Sequence, residues 1–129
     1  MIFKNFYDSL AFHYKRTKKE DLNGEIIHIV HNLDKKYQFT LLLMFLSQLD
    51  NKGRHTSIGE IASFSHFKDR EIKMASYKRK LRRIIADLVE FNYVIRINKA
   101  EIALNPLIYD AFDDFKDYYR DLFPLNMKK

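Results

Sequence analysis

The sequence is organised around one basic segment, Ser76-Tyr-Lys-Arg-Lys-Leu-Arg-Arg-Ile-Ile-Ala-Asp-Leu88. At about 100° per residue its apolar side chains fall on one arc, as in a helix packed against a core. The residues of this arc are Tyr77, Leu81, Ile84, Ile85 and Leu88. The cations lie elsewhere on the helix, with Arg79 and Arg83 opposite the arc, Lys78 and Arg82 on one flank and Lys80 on the other. The segment therefore predicts a helix whose exposed face is rich in guanidinium groups.

The positive charge of the chain is concentrated around this segment. The 129 residues include 23 Lys and Arg against 17 Asp and Glu, a net charge of +6. Residues 68–100 contain ten cations and four acids, so this stretch carries the whole excess. Cations at this density repel one another unless an anion lies opposite. The pattern favours a polyanionic partner, and the alternative is a helix face that is only solvated.

Composition excludes several other classes of protein. The chain has no Cys, which excludes disulfides, thiolate zinc sites and thiol nucleophiles, and its 3 Gly cannot supply a phosphate-binding loop. No apolar run approaches 18 residues, and the N-terminal residues lack the pattern of a secretory signal. We therefore expect one cytoplasmic domain without a membrane span.

Apolar periodicity predicts further helices on both sides of the basic segment. They cover Phe3–Tyr14, Lys36–Leu49, Ile58–Phe64 and a last helix from Pro106 to about Phe123. Ser57 and Glu60 have the spacing of a reciprocal N-terminal capping pair, and Asn105 precedes Pro106 as a cap.

Three parts of the chain favour extended structure. Glu25–His31 is rich in β-branched residues and favours a strand, with a helix as the alternative. Arg54–Ser57 is a short extended piece, and Val94–Asn98 and Glu101–Asn105 form a hairpin after a left-handed stop at Asn92.

The histidines of the predicted strand Glu25–His31 do not form a metal site. On a strand, His28 and His31 would face opposite sides and could not share an ion. On a helix the same spacing could chelate, but a third ligand is missing. We therefore expect no catalytic residue, no metal and no cofactor, and we interpret the protein as a non-enzyme.

The resulting fold class is mainly α with a small β-hairpin, and the order of elements resembles the winged helix-turn-helix superfamily. The likeness covers 36–106, with a helical extension at 1–35 and another at 107–129. It is carried by Ser57-Ile-Gly-Glu-Ile-Ala62, Leu81-Arg-Arg-Ile-Ile-Ala-Asp-Leu88, Phe91-Asn-Tyr-Val-Ile-Arg96 and Ile102-Ala-Leu-Asn-Pro106. About nine more residues than usual, Phe67–Ala75, precede the basic helix, so either this helix starts early or a longer loop precedes it.

The resemblance implies binding to DNA, double-stranded rather than single-stranded. In such domains the second helix of the pair enters the major groove. By this analogy the DNA-binding residues are Lys78, Arg79, Lys80, Arg82 and Arg83, with Lys99 at the hairpin tip. The chain is also similar to the RepL-like replication proteins of Gram-positive plasmids and mobile elements, which implies a role in replication. The alternatives are a transcriptional regulator of the same fold and an adaptor whose basic face meets an acidic protein.

The last helix carries an apolar stripe with two interpretations. Its residues are Ile108, Phe112, Phe115, Tyr119 and Leu122. The stripe either closes the core of its own chain or is exposed and pairs with a second copy in a homodimer, as two-fold DNA sites favour. Of these two alternatives, we expect the homodimer.

Overall fold

A computed structural model of the protein describes residues 4–16, 22–64 and 71–117. Within these ranges six helices surround a two-stranded antiparallel sheet, which confirms the mainly helical α+β class. In chain order the elements are α1 (Phe6–Arg16), α2 (Leu22–His31), α3 (Lys35–Asp50), α4 (Ile58–Phe64), α5 (Glu71–Glu90), β1 (Val94–Arg96), β2 (Ile102–Leu104) and α6 (Pro106–Asp114).

Helix α3 is the centre of the core. Every residue from 40 to 45 is buried, because α3 contacts α4 and α5 on one side and β2 on another. The broad apolar face of Lys36–Leu49 predicted such a buried helix, and this prediction is confirmed. The phenyl ring of Phe45 lies between two aromatic rings of α6, with centroid distances of 5.2 Å to Tyr109 and 5.5 Å to Phe112.

The strand expected over Glu25–His31 is wrong, because these residues belong to helix α2. Its apolar residues, Ile26, Ile27, Ile29 and Val30, are all buried, and α2 packs against α1 and α6. Their spacing (26, 27, 29, 30) is that of one helix face. Burial of this face outweighs the modest β preference of Ile and Val.

Helix α1 is part of the same core. Phe6 is fully buried, and its amide donates to the Phe91 carbonyl at 2.8 Å. The Tyr93 hydroxyl donates to the Lys4 carbonyl at 3.0 Å, and the Asn105 side-chain amide donates to the Tyr7 hydroxyl at 2.9 Å. These bonds attach the start of α1 to the turn after α5 and to the start of α6. The described part of the predicted N-terminal extension therefore packs directly on the elements that follow α5.

The hairpin has the predicted location. β1 and β2 pair antiparallel, and Val94 lies opposite Leu104. On the other edge of β2, Thr56 forms a bridge with Ile102 through two backbone hydrogen bonds of 2.8 and 2.9 Å, which confirms the short extended piece before α4. Buried Gln48 of α3 accepts the Leu104 amide at 2.7 Å and so fixes the sheet to the central helix.

Capping residues begin and end the helices where the sequence predicts. Asn92 after α5 has a φ of 69°, and the Asn105 side chain accepts the Leu107 amide at 3.0 Å. The Ser57 hydroxyl accepts the Glu60 amide at 3.2 Å, as expected. The Ser57 hydroxyl donates in turn to the Glu60 carboxylate at 3.3 Å, whereas in a complete capping box the carboxylate accepts the backbone amide of the capping residue.

The stripe of α6 closes the core of its own chain. Ile108 is fully buried, Phe112 is 1% exposed, and Phe115 is partly buried against the core, where α6 contacts α2 and β2. The expectation that these three residues lie on an exposed interface is wrong, because α2 covers the face that the sequence left without a partner. Tyr119 and Leu122 lie outside the described residues. The stripe therefore gives no support for a homodimer.

Candidate nucleic-acid interface

Helix α5 begins earlier than the likeness to winged helices requires. It runs over 20 residues from Glu71 to Glu90, so the last part of the surplus segment Phe67–Ala75 is helical. Of the two alternatives from the sequence, the structure thus has the early start. Residues 65–70 lie outside the described ranges.

The apolar arc of α5 faces the core as predicted. Leu81, Ile85 and Leu88 are buried, while Tyr77 and Ile84 are half-buried at the edge of the contact with α3 and α4. A helix held by one face presents the opposite face to solvent. This packing fixes the direction of the cations.

Four of the five predicted cations of α5 are exposed in the structure. Arg79, Lys80, Arg82 and Arg83 are exposed, and Lys78 is half-buried. Among the ion pairs that join two described side chains, none involves these five cations. The pairs are Lys116–Asp113 and, when the imidazole is protonated, His55–Glu101. We call the surface formed by Lys78, Arg79, Lys80, Arg82 and Arg83 the α5 basic face.

Asp87, the acid that follows these cations most closely in the sequence, is bound to another helix. Asp87 is half-buried, and its Oδ2 accepts a hydrogen bond of 2.8 Å from the Tyr37 hydroxyl of α3. Burial, together with the bond to Asp87, raises the pKa of Tyr37 to about 12. The hydroxyl therefore stays protonated and continues to donate at neutral pH. Sequence reasoning missed this pair, because no spacing rule connects two residues that lie 50 positions apart.

The hairpin tip presents a further cation on an ordered turn. Lys99 is exposed, and on either side of it Asn98 and Glu101 are tied together. The Asn98 side chain accepts the amides of Ala100 and Glu101, both at 2.9 Å, and donates to the Glu101 carboxylate at 2.8 Å. His55 contacts the same carboxylate at 3.4 Å. Lys99 thus lies on a short, internally bonded turn with its side chain in solvent.

Arg96 on β1 is a cation that the sequence-based set of candidates left out. It is exposed, and it lies between Ile95 and Ile97, which are also exposed. The signal was available, because Arg96 belongs to the basic stretch 68–100 and comes three residues before the hairpin tip.

The two histidines of α2 lie on a helix, so the strand geometry that separated them is wrong. Burial first, and then the charge of His28, lowers the pKa of His31. His28 makes a side-chain hydrogen bond of 3.2 Å with Asn32. Throughout the described ranges, no three side chains of His, Asp or Glu converge as a set of metal ligands.

Comparison of the chain with protein-family models, with curated proteins and with solved structures found no match. Among the helices of residues 4–16, 22–64 and 71–117, none is both long enough and apolar enough to cross a membrane. The function is therefore inferred from the α5 basic face and from the order of the elements around it.

Proposed function

We propose that the chain binds double-stranded DNA through the α5 basic face. One observation carries this proposal. Of the five cations between positions 78 and 83, four are exposed and Lys78 is half-buried, on a helix whose other side is buried, and none of the five pairs with an acid of the described residues. Cations that are close together without counter-charges gain most from a polyanion, since binding releases the counterions condensed on its phosphates.

The order of the elements supports a winged helix-turn-helix architecture for this binding. Helix α3 is followed by the bridge at Thr56, then by α4, α5 and the hairpin. In that architecture α5 is the recognition helix and the hairpin is the wing. The major groove of B-DNA is wide enough to admit an α-helix, and Lys99 at the tip of the wing is suited to a flanking phosphate.

The individual cations are suited to different contacts. Arg79 and Arg83 point directly away from the core, and the planar guanidinium group matches the O6 and N7 acceptors of guanine. Lys78, Lys80 and Arg82 lie at the flanks, where phosphates border the groove. We propose that the process served is replication of a plasmid or another mobile element, in line with the resemblance to RepL-like proteins.

Fluorescence anisotropy with a labelled duplex tests the proposal. If five to seven cations contact phosphates, log K should fall with log salt at a slope of roughly −4 to −6 between about 50 and 200 mM. The combined Lys80→Ala and Arg82→Ala variant, which removes two of the cations assigned to phosphates, should make the slope less steep by about two. Lys116→Ala, which removes a cation from the α6 side of the molecule, is the matched control and should leave the slope nearly unchanged.

Two results would contradict the proposal. One is a slope near zero for the wild-type protein. The other is an affinity for the separated single strands that exceeds the affinity for the duplex. An acidic protein as the true partner would be indicated if polyglutamate bound the wild-type protein more tightly than the duplex does.

A further inference from the structure

Asp87 has the spacing of an ion-pair partner for the α5 basic face. It follows Arg83 by four residues on the same helix, so the two side chains are neighbours on the helix surface. Oppositely charged residues at this spacing attract one another. An Asp87 carboxylate turned outward would neutralise one arginine at the centre of the face and add a negative charge beside it.

The carboxylate does not take this position. Asp87 is bound instead to the Tyr37 hydroxyl at 2.8 Å, and the structure records no ion pair between Asp87 and Arg83. Tyr37 lies in the first turn of α3 and is only 8% exposed, so its hydroxyl is held in place by the packing of its ring. Lys36 Nζ lies 5.2 Å from the centre of that ring.

We propose that Tyr37 is a positioning residue for the α5 basic face, since its hydroxyl holds the Asp87 carboxylate against α3 and leaves Arg83 available to an anionic ligand. The binding of DNA by Arg83 rests on the proposed function, whereas the position of the Asp87 carboxylate does not. The chain thus tolerates an acid within its most basic segment because a residue 50 positions away binds it.

Removal of the hydroxyl releases the acid. A half-buried carboxylate that has lost its donor turns toward a cation, because an unpaired charge of this kind is costly. The two candidate cations are Arg83, one turn away on the same helix, and Lys36, whose Nζ lies beside the Tyr37 ring. The proposal requires Arg83, whose side chain lies one turn away on the exposed side.

The test uses Tyr37→Phe, Asp87→Asn and the double variant. Phe keeps the buried ring, and Tyr37→Leu is a second way to remove the hydroxyl should Tyr37→Phe not fold. The control is Tyr93→Phe, which removes another buried hydroxyl, the one that donates to the Lys4 carbonyl. Thermal unfolding followed by circular dichroism confirms that each variant is folded.

The first measurement needs no DNA. In an NMR spectrum of the free protein, the Nε–Hε signal of Arg83 should move in Tyr37→Phe and return to its wild-type position when Asp87→Asn is added. It should not move in Tyr93→Phe. An unmoved signal, as expected if the carboxylate turns to Lys36, would overturn the inference whatever the protein binds.

The second measurement is affinity for a duplex at low salt. Tyr37→Phe should weaken binding about two- to fivefold, because the released Asp87 carboxylate pairs with Arg83 and competes with DNA for it. In the Asp87→Asn background the effect of Tyr37→Phe should disappear, because no carboxylate is left to pair with Arg83. Comparison within this double-mutant cycle also cancels any general effect of the lost negative charge. A weakening that persists in that background would refute the inference. A wild-type protein that binds no duplex, while the Arg83 signal moves as described, would refute the proposed function and support the positioning of Asp87.

Discussion

Replacement of Phe112 by Ala tests whether the stripe of α6 belongs to the core of the single chain. Phe112 is 1% exposed, and its ring packs edge-on against Phe45 at 5.5 Å. A buried Phe removes about 150–250 Å² from water, which at about 25 cal/mol per Å² corresponds to about 4–6 kcal/mol as an upper bound. Measured Phe→Ala losses in cores are about 3–5 kcal/mol. We expect this loss from a total of about 5–15 kcal/mol.

Urea unfolding followed by circular dichroism, at two protein concentrations, measures the loss. The midpoint of the variant should fall sharply and should not depend on protein concentration. Phe115→Ala is the matched control, and it should cost about half as much because Phe115 is only partly buried. A loss below about 1 kcal/mol for Phe112→Ala, together with a change from dimer to monomer in light scattering, would refute the assignment of Phe112 to the core.

Arg79→Ala and Arg83→Ala should each cost about 1–3 kcal/mol of binding free energy on a specific site and less on random DNA, while Lys99→Ala should weaken binding to both DNAs equally. If each of the three variants loses as much on the specific site as on random DNA in anisotropy titrations, the protein is a non-specific binder. Asn92 has a φ of 69°, so Asn92→Ala should cost about 1 kcal/mol in urea unfolding and Asn92→Gly should cost nothing, a difference that vanishes if the turn is not left-handed. The pKa of His31 is lowered by burial and by a second histidine of the same helix, so the unfolded chain binds a proton more readily. The free energy of unfolding should therefore decrease as the pH falls through about 6.5, and His31→Gln should reduce this decrease in urea titrations at several pH values.

Local sequence signals were sufficient for α5 and the hairpin. The arc that contains Leu81, Ile85 and Leu88 follows from helical geometry alone, and the same geometry places Arg79 and Arg83 in solvent. The turn at Asn92 needs a residue that tolerates positive φ, and few residues other than Gly do. Such features depend on neighbours in the sequence, so they are readable without the fold.

Features that depend on distant parts of the chain could not be predicted from the sequence. Periodicity predicts an apolar face on α6 but not the helix that covers it, because the composition of the α2 residues favours a strand. The spacing of Ile26, Ile27, Ile29 and Val30 is that of a helix face, whereas their β-branched side chains favour a strand. The spacing was the better guide. The contact of Tyr37 with Asp87 has no sequence signal, because it arises from the way in which α3 and α5 cross.

The attachment of α1 and α2 to the late part of the chain has a kinetic consequence. Tyr93 bonds to Lys4 across 89 positions, Asn105 to Tyr7 across 98, and Asn23 donates to Asp114 across 91. Helical proteins usually fold fast because their contacts are local, and long-range closure slows them. During synthesis α1 and α2 are made before the residues after α5 to which they bond. The part of the apolar side of α2 that packs against α6 is therefore uncovered until α6 has been made, and apolar surface exposed in this way favours aggregation of the nascent chain.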